Sequence, residues 1–149
     1  MLKTLLDRAL ENEDVERLAN AAAGAPQRAF ASASLRPFLI AALLEGESFR
    51  ERPALIVASD DRMARDLALD LRAFRAPAPV RFYPARGVRY ESHLAPPPHL
   101  VGLRIAALDS LLEPPAGEAP VVVASAVALM ERIPDPNLRP HGFTIRVGA

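Results

Sequence analysis

The sequence predicts an α/β fold, a parallel-type sheet flanked by helices, on three observations. Short runs of apolar and β-branched residues recur, such as PALIVAS at 53–59 and APVVVAS at 119–125. Between them lie stretches whose apolar residues return every three or four positions, the period of a helix. The two kinds alternate, and strand–helix–strand order closes a sheet in parallel with its helices on the faces.

The elements follow in order. Residues 2–10 and 13–23 make two short helices, with Leu2, Leu5, Leu6 and Ala9 on one face of the first and Val15, Leu18 and Ala22 on one face of the second. QRAFAS at 27–32 is a short strand, and 36–45 a helix opened by Pro37, whose missing N–H costs nothing in a first turn. PALIVAS at 53–59 is apolar almost throughout, as a strand buried on both faces would be. The helix after it has Ser59 to cap it, Asp60 and Asp61 in the first turn, and Met63, Leu67, Leu71 and Phe74 as its apolar stripe. PVRFYP at 79–84 is a strand, 84–98 is irregular, and 99–112 is a helix with Leu100, Leu103, Ala107 and Leu111 inward. APVVVAS repeats the buried-strand pattern, AVALMERI at 126–133 is a short helix, and GFTIRV at 142–147 alternates as an edge strand.

The 149 residues suffice for one core, so 1–149 is expected to be a single, incomplete α/β domain, with helices in 1–25 and the sheet-and-helix core in 26–149. Half of the residues are hydrophobic and 24% are charged, a globular rather than disordered balance. Eighteen basic residues offset eighteen acidic ones, so no overall positive field marks a nucleic-acid binder. The absence of cysteine excludes disulfides and thiolate metal sites. His93, His99 and His141 are scattered, and LAPPP separates the first two, so they share no helix face and no metal site is expected. Acidic residues run through the first helix, which excludes a signal peptide, and no apolar run reaches the roughly twenty residues of a membrane span. The expected location is the cytoplasm, away from membranes.

In such sheets, ligands bind beyond the carboxyl ends of the strands, which puts the turn in FASASLRP at 30–37 under test as a phosphate loop. Laid on the G-x-x-x-x-G-K-[ST] frame, Phe30 and Leu35 stand at the glycines, Arg36 at the lysine and Pro37 at the hydroxyl residue, with Ala31, Ser32, Ala33 and Ser34 between. Phe and Leu bring Cβ atoms where the backbone must wrap phosphate, and proline has neither hydroxyl for Mg²⁺ nor N–H for an anion. Arg36 is a cation without a cradle. An ordinary turn capped by Ser34 accounts for the segment, so no catalytic residue and no cofactor is expected. RFYPARGVRY at 81–90 interleaves Arg81, Arg86, Arg89 and Tyr90 with other aromatics, a pattern able to contact single strands, although Phe82 turning into the core beside solvated arginines explains it as well.

A series of blocks resembles a known family. FASASLRPFLIAALL, PALIVASDDRMARDLALDLRAF, YESHLAPPPHLVGLRIAALDSLL and PVVVASAVALMERIPDP are similar, in this order, to the amino-terminal region of bacterial transcription-repair coupling factors, itself similar to the UvrB subunit of nucleotide-excision repair. Tyr90, Glu91, Pro96, Arg104 and Leu108 fall in place, whereas Ser125-Ala126 lacks the usual proline and Ala33 replaces a common glycine. The resemblance implies a UvrB-like, three-layer helicase-type domain whose phosphate loop has decayed. It implies a non-catalytic module that supports UvrA recruitment, with ATP-driven translocation, RNA polymerase and DNA contacts belonging to the remainder of the coupling factor. About a dozen residues separate Tyr83 from Pro96, too few for UvrB's lesion-probing hairpin. The alternatives from the residues alone are a stand-alone DNA-binding module or a nucleotide-binding α/β module.

Overall fold

Three strands make one parallel sheet in the order β1-β3-β2: β1 (Ala54–Ala58), β2 (Val80–Tyr83) and β3 (Val121–Ser125). The computed structural model describes residues 3–89, 92–114, 117, 119–133, 135–138 and 147–148. Around the sheet run α1 (Lys3–Leu10), α2 (Glu13–Gly24), α3 (Arg36–Glu45), α4 (Asp61–Arg75), α5 (Pro98–Leu112) and α6 (Ala126–Met130), with a 3₁₀ turn at Pro136–Leu138. β3 pairs with both neighbours, Ile56 and Phe82 each facing Val123 across the ladder. All five β3 residues are buried, because this central strand is covered on both faces.

One face carries the main core. Val121 and Val123 meet Val80 and Phe82, and α4 and α3 cover them with Ala64, Ala68, Leu71, Ala41, Ala42 and Leu44. The expected α4 stripe holds at Leu67, Leu71 and Phe74, which pack in this core beside Ala64 and Ala68, whereas Met63 is exposed. Leu6 of α1 completes this core, while Leu5 is exposed. Phe38 and Phe74 meet edge to face with centroids 5.8 Å apart, and Arg75 bridges to Glu45 at 3.5 Å, both ties joining α3 to α4. The opposite face holds a smaller cluster of Tyr83, Ala107, Val122, Ala124 and Ala128 beneath α5 and α6.

Three expectations change. The segment 27–32 forms no strand: its one large apolar side chain, Phe30, is 93% exposed, so pairing it to the sheet would bury little. β1 is not buried on both faces, since Leu55 and Val57, on the sheet face that carries α5 and α6, are more than half exposed. Ser59 does not cap α4. Asp60 does, accepting from Met63 N–H at 2.9 Å, and Ser59 Oγ donates to Asp60 at 3.0 Å. The expected strand at 142–147 lies outside the described residues, apart from Val147, which sits in a turn.

Candidate functional site

β1, β2 and β3 run parallel, so their carboxyl ends share one rim, the usual ligand position of such sheets. Each strand there delivers a polar or turning segment: Ser59 to Asp61 after β1, Pro84 to Gly87 after β2, and Ser125 at the end of β3. Asp61 opens α4 and aims its carboxylate across the sheet. It accepts the hydroxyl of Ser125 at 2.5 Å and the backbone N–H of Ala85 at 3.1 Å to each oxygen. Ser125 is fully buried and its Oγ also caps α6, accepting from Ala128 N–H at 3.1 Å. A single side chain thereby ties all three strand ends.

A second carboxylate holds the next amide. Glu131, just past α6, accepts the backbone N–H of Arg86 at 3.0 and 3.1 Å. It also pairs with Arg104 of α5 at 2.6 Å, the two side chains being 19% and 11% exposed. Arg104 donates to Pro84 O at 2.8 Å, and its guanidinium lies 4.3 Å over the Tyr83 ring. Gly87 turns the chain after these amides with φ +74°, where a Cβ would stand 2.8 Å from Leu100, so a side chain there would meet both strain and a clash.

Tyr83 is buried and its hydroxyl finds no hydrogen-bond partner among the described residues. Burial pushes its phenol above the ordinary value, against the opposing pull of Arg104. Tyr83→Phe is expected to gain up to about 1 kcal/mol, because it removes a desolvated, unpaired group. A raised folded-state value means stability is fully present below about pH 10, the unfolded phenol's range, and falls as pH rises through it. Urea titrations at neutral and alkaline pH should show this fall in the parent and a smaller one in Tyr83→Phe.

The segment 30–37 takes part in none of these rim hydrogen bonds. It follows α2 as irregular chain, turns at 33–35 and enters α3. The amides of Leu35 and Arg36 both donate to Ser32 O, and Arg36 Nε donates to Ala31 O at 3.3 Å. Leu35, in helical conformation, is the residue that caps α3, with no side-chain cap bond. The expected Ser34 cap is therefore absent, and Ser34 Oγ lies 3.4 Å from Ser32 Oγ instead. The segment walls an open groove of about 720 Å³ against α2 and α3, lined by Leu18, Phe30, Leu39 and Leu43 with Arg36 at its side.

Of the candidate nucleic-acid residues, Arg81 is exposed within β2, whereas Arg86 and Arg89 sit in the loop beyond it. Tyr90 lies outside the described residues. Sequence reasoning assigned Asp61 to the helix dipole and treated Ser125 as a departure from a motif. The usable signal was that two strands end in polar residues which a plain turn does not require.

Among the described residues no group of three or more His, Asp or Glu could hold a metal ion, and no helix is long and apolar enough to cross a membrane. No protein-family model matches the chain, and no curated protein matches it.

Proposed function

We propose that this chain is a non-catalytic, UvrB-like module of a transcription-repair coupling factor, a decayed helicase-type domain that supports UvrA recruitment in transcription-coupled excision repair. The observation that carries the non-catalytic part is the occupancy of the rim's own donors. The N–H groups of Ala85 and Arg86 are each taken by a carboxylate. A triphosphate would have to displace Asp61 and Glu131 while meeting their charge, with Asp60 beside them. The Asp60 carboxyl is held below its ordinary value, first by the N–H of Met63 and then by the Ser59 hydroxyl, so it stays ionised at neutral pH. The segment that would be the phosphate loop supports the same reading, since the amides of Leu35 and Arg36 are engaged within their own turn. The ordered block resemblance supports the coupling-factor part.

Isothermal titration of the chain with ATP and Mg²⁺ is expected to give no heat of binding up to about millimolar nucleotide, a limit near −4 kcal/mol of affinity. Tight, Mg²⁺-dependent binding would overturn the non-catalytic reading. Placing this chain in the corresponding position of a coupling factor should retain UvrA co-purification and strand-specific repair. Loss of both in a folded chimera would count against the family assignment.

A further inference from the structure

We propose that the groove between α2, α3 and the segment 27–32 is a binding site for one medium-chain aliphatic carboxylate, its head held by Arg36 and its alkyl chain lying along α3. The groove is concave and of about 720 Å³, within the range of small-molecule sites. Its wall is made of apolar side chains that the core does not use. Leu18 of α2 and Leu39 and Leu43 of α3 line it half-buried, and they belong to neither core cluster. Leu39 and Leu43, four positions apart, stand one turn above each other. Phe38 of the same helix goes to the core instead, against Phe74. Phe30 lines the groove while 93% exposed, which puts its ring at the mouth.

Charge selects the head group. Arg36 is the cation of the lining, and no carboxylate lines the groove among the described residues. Its Nε–H donates to Ala31 O at 3.3 Å, which ties the guanidinium to the groove wall. The terminal N–H groups have no partner among the described residues, and their fork matches the two oxygens of a carboxylate. A phosphate dianion would call on further donors. The N–H groups of Leu35 and Arg36 both donate to Ser32 O, and Pro37 has none, so one guanidinium faces one negative charge. Length selects the chain. Arg36 to Leu43 spans roughly 10 Å of helix at 1.5 Å per residue. An extended chain advances about 3.4 Å every three bonds, so about nine bonds reach from the guanidinium to Leu43. A protein partner would need roughly 800 Å² on this side, more than a groove of this length offers, whereas a small ligand needs only a cleft of this volume.

The test titrates the full chain with decanoate, kept below its micelle-forming concentration, and follows it by NMR. The methyl signals of Leu18, Leu39 and Leu43 and the ring signals of Phe30 are expected to move saturably, and those of the β3 core to stay. Acetate, which has the head alone, and decyltrimethylammonium, which has the chain with the opposite charge, should each bind at least about tenfold more weakly. Arg36→Gln should weaken decanoate at least about tenfold without weakening decyltrimethylammonium, and Phe30→Ala should weaken both. Both positions are exposed, so the far-UV spectra of the variants should match the parent. No saturable shift with decanoate, equal affinity for the two decyl ligands, or an Arg36→Gln variant that binds decanoate as the parent does would overturn the proposal. Decyl phosphate binding more tightly than decanoate would overturn the carboxylate assignment. Groove signals that shift with protein concentration in the absence of ligand would mean a second copy fills the groove, and would overturn it too.

Discussion

Glu131→Ala is expected to lower the unfolding free energy by about 3 kcal/mol, within the range for removing one partner of a buried ion pair. Two losses combine. Arg104 keeps only the Pro84 carbonyl and the Tyr83 ring in a site where it is 11% exposed. The Arg86 N–H loses both its acceptors at once. With a urea slope of about 2 kcal/mol per molar, the midpoint should fall by about 1.5 M. Arg104→Met alone should cost less, because Glu131 still holds the Arg86 amide. The Arg104→Met/Glu131→Leu double variant should recover part of the loss, since no uncompensated charge remains. Strictly additive single effects would show that the two side chains do not act as a pair.

The fold was legible wherever local pattern and tertiary demand agree. VVVAS could be nothing but a central strand, and Asp61–Arg75 announces itself through its helical period and acidic start. QRAFAS misled because a short run with Phe and Ala has the look of a strand, while strand formation depends on a partner and a face to bury, which Phe30 lacks. PALIVAS misled differently. Its composition suits two buried faces, yet its neighbour on one side is missing among the described residues, so Leu55 and Val57 are left open. At the rim, the types of residue were visible but their pairing was not. Asp61 and Ser125 are sixty-four positions apart, and only the β1–β3 register brings them together. Arg104, Glu131 and Arg86 meet from three different connections, a conjunction that no periodicity encodes.

Asp61→Ala should be the other large loss, about 2–3 kcal/mol, and its companion Asp61→Asn should separate hydrogen bonding from charge. Alanine leaves two groups without acceptors, the buried Ser125 hydroxyl and the Ala85 N–H, each carrying a desolvation cost of about 1–3 kcal/mol if unrelieved. Ser125 can soften the first loss by rotating, but its oxygen must keep accepting from Ala128 N–H to hold α6. Asparagine offers one carbonyl oxygen and two donors. Its oxygen can accept from Ala85 while its NH₂ donates to the spare lone pair of Ser125, so the constellation survives at a cost of about 1 kcal/mol. A carboxylate that served chemistry at this rim would instead make Asn as damaging as Ala to whatever ligand it handled. The decisive measurement is the pair of urea midpoints, with the amide exchange rates of Ala85 and Ala128. Asn near the parent and Ala far below it, with Ala85 exchanging fast only in Ala, fits a carboxylate that locks three strand ends together. Equal losses in the two variants would show that the charge itself, rather than its acceptors, holds the rim.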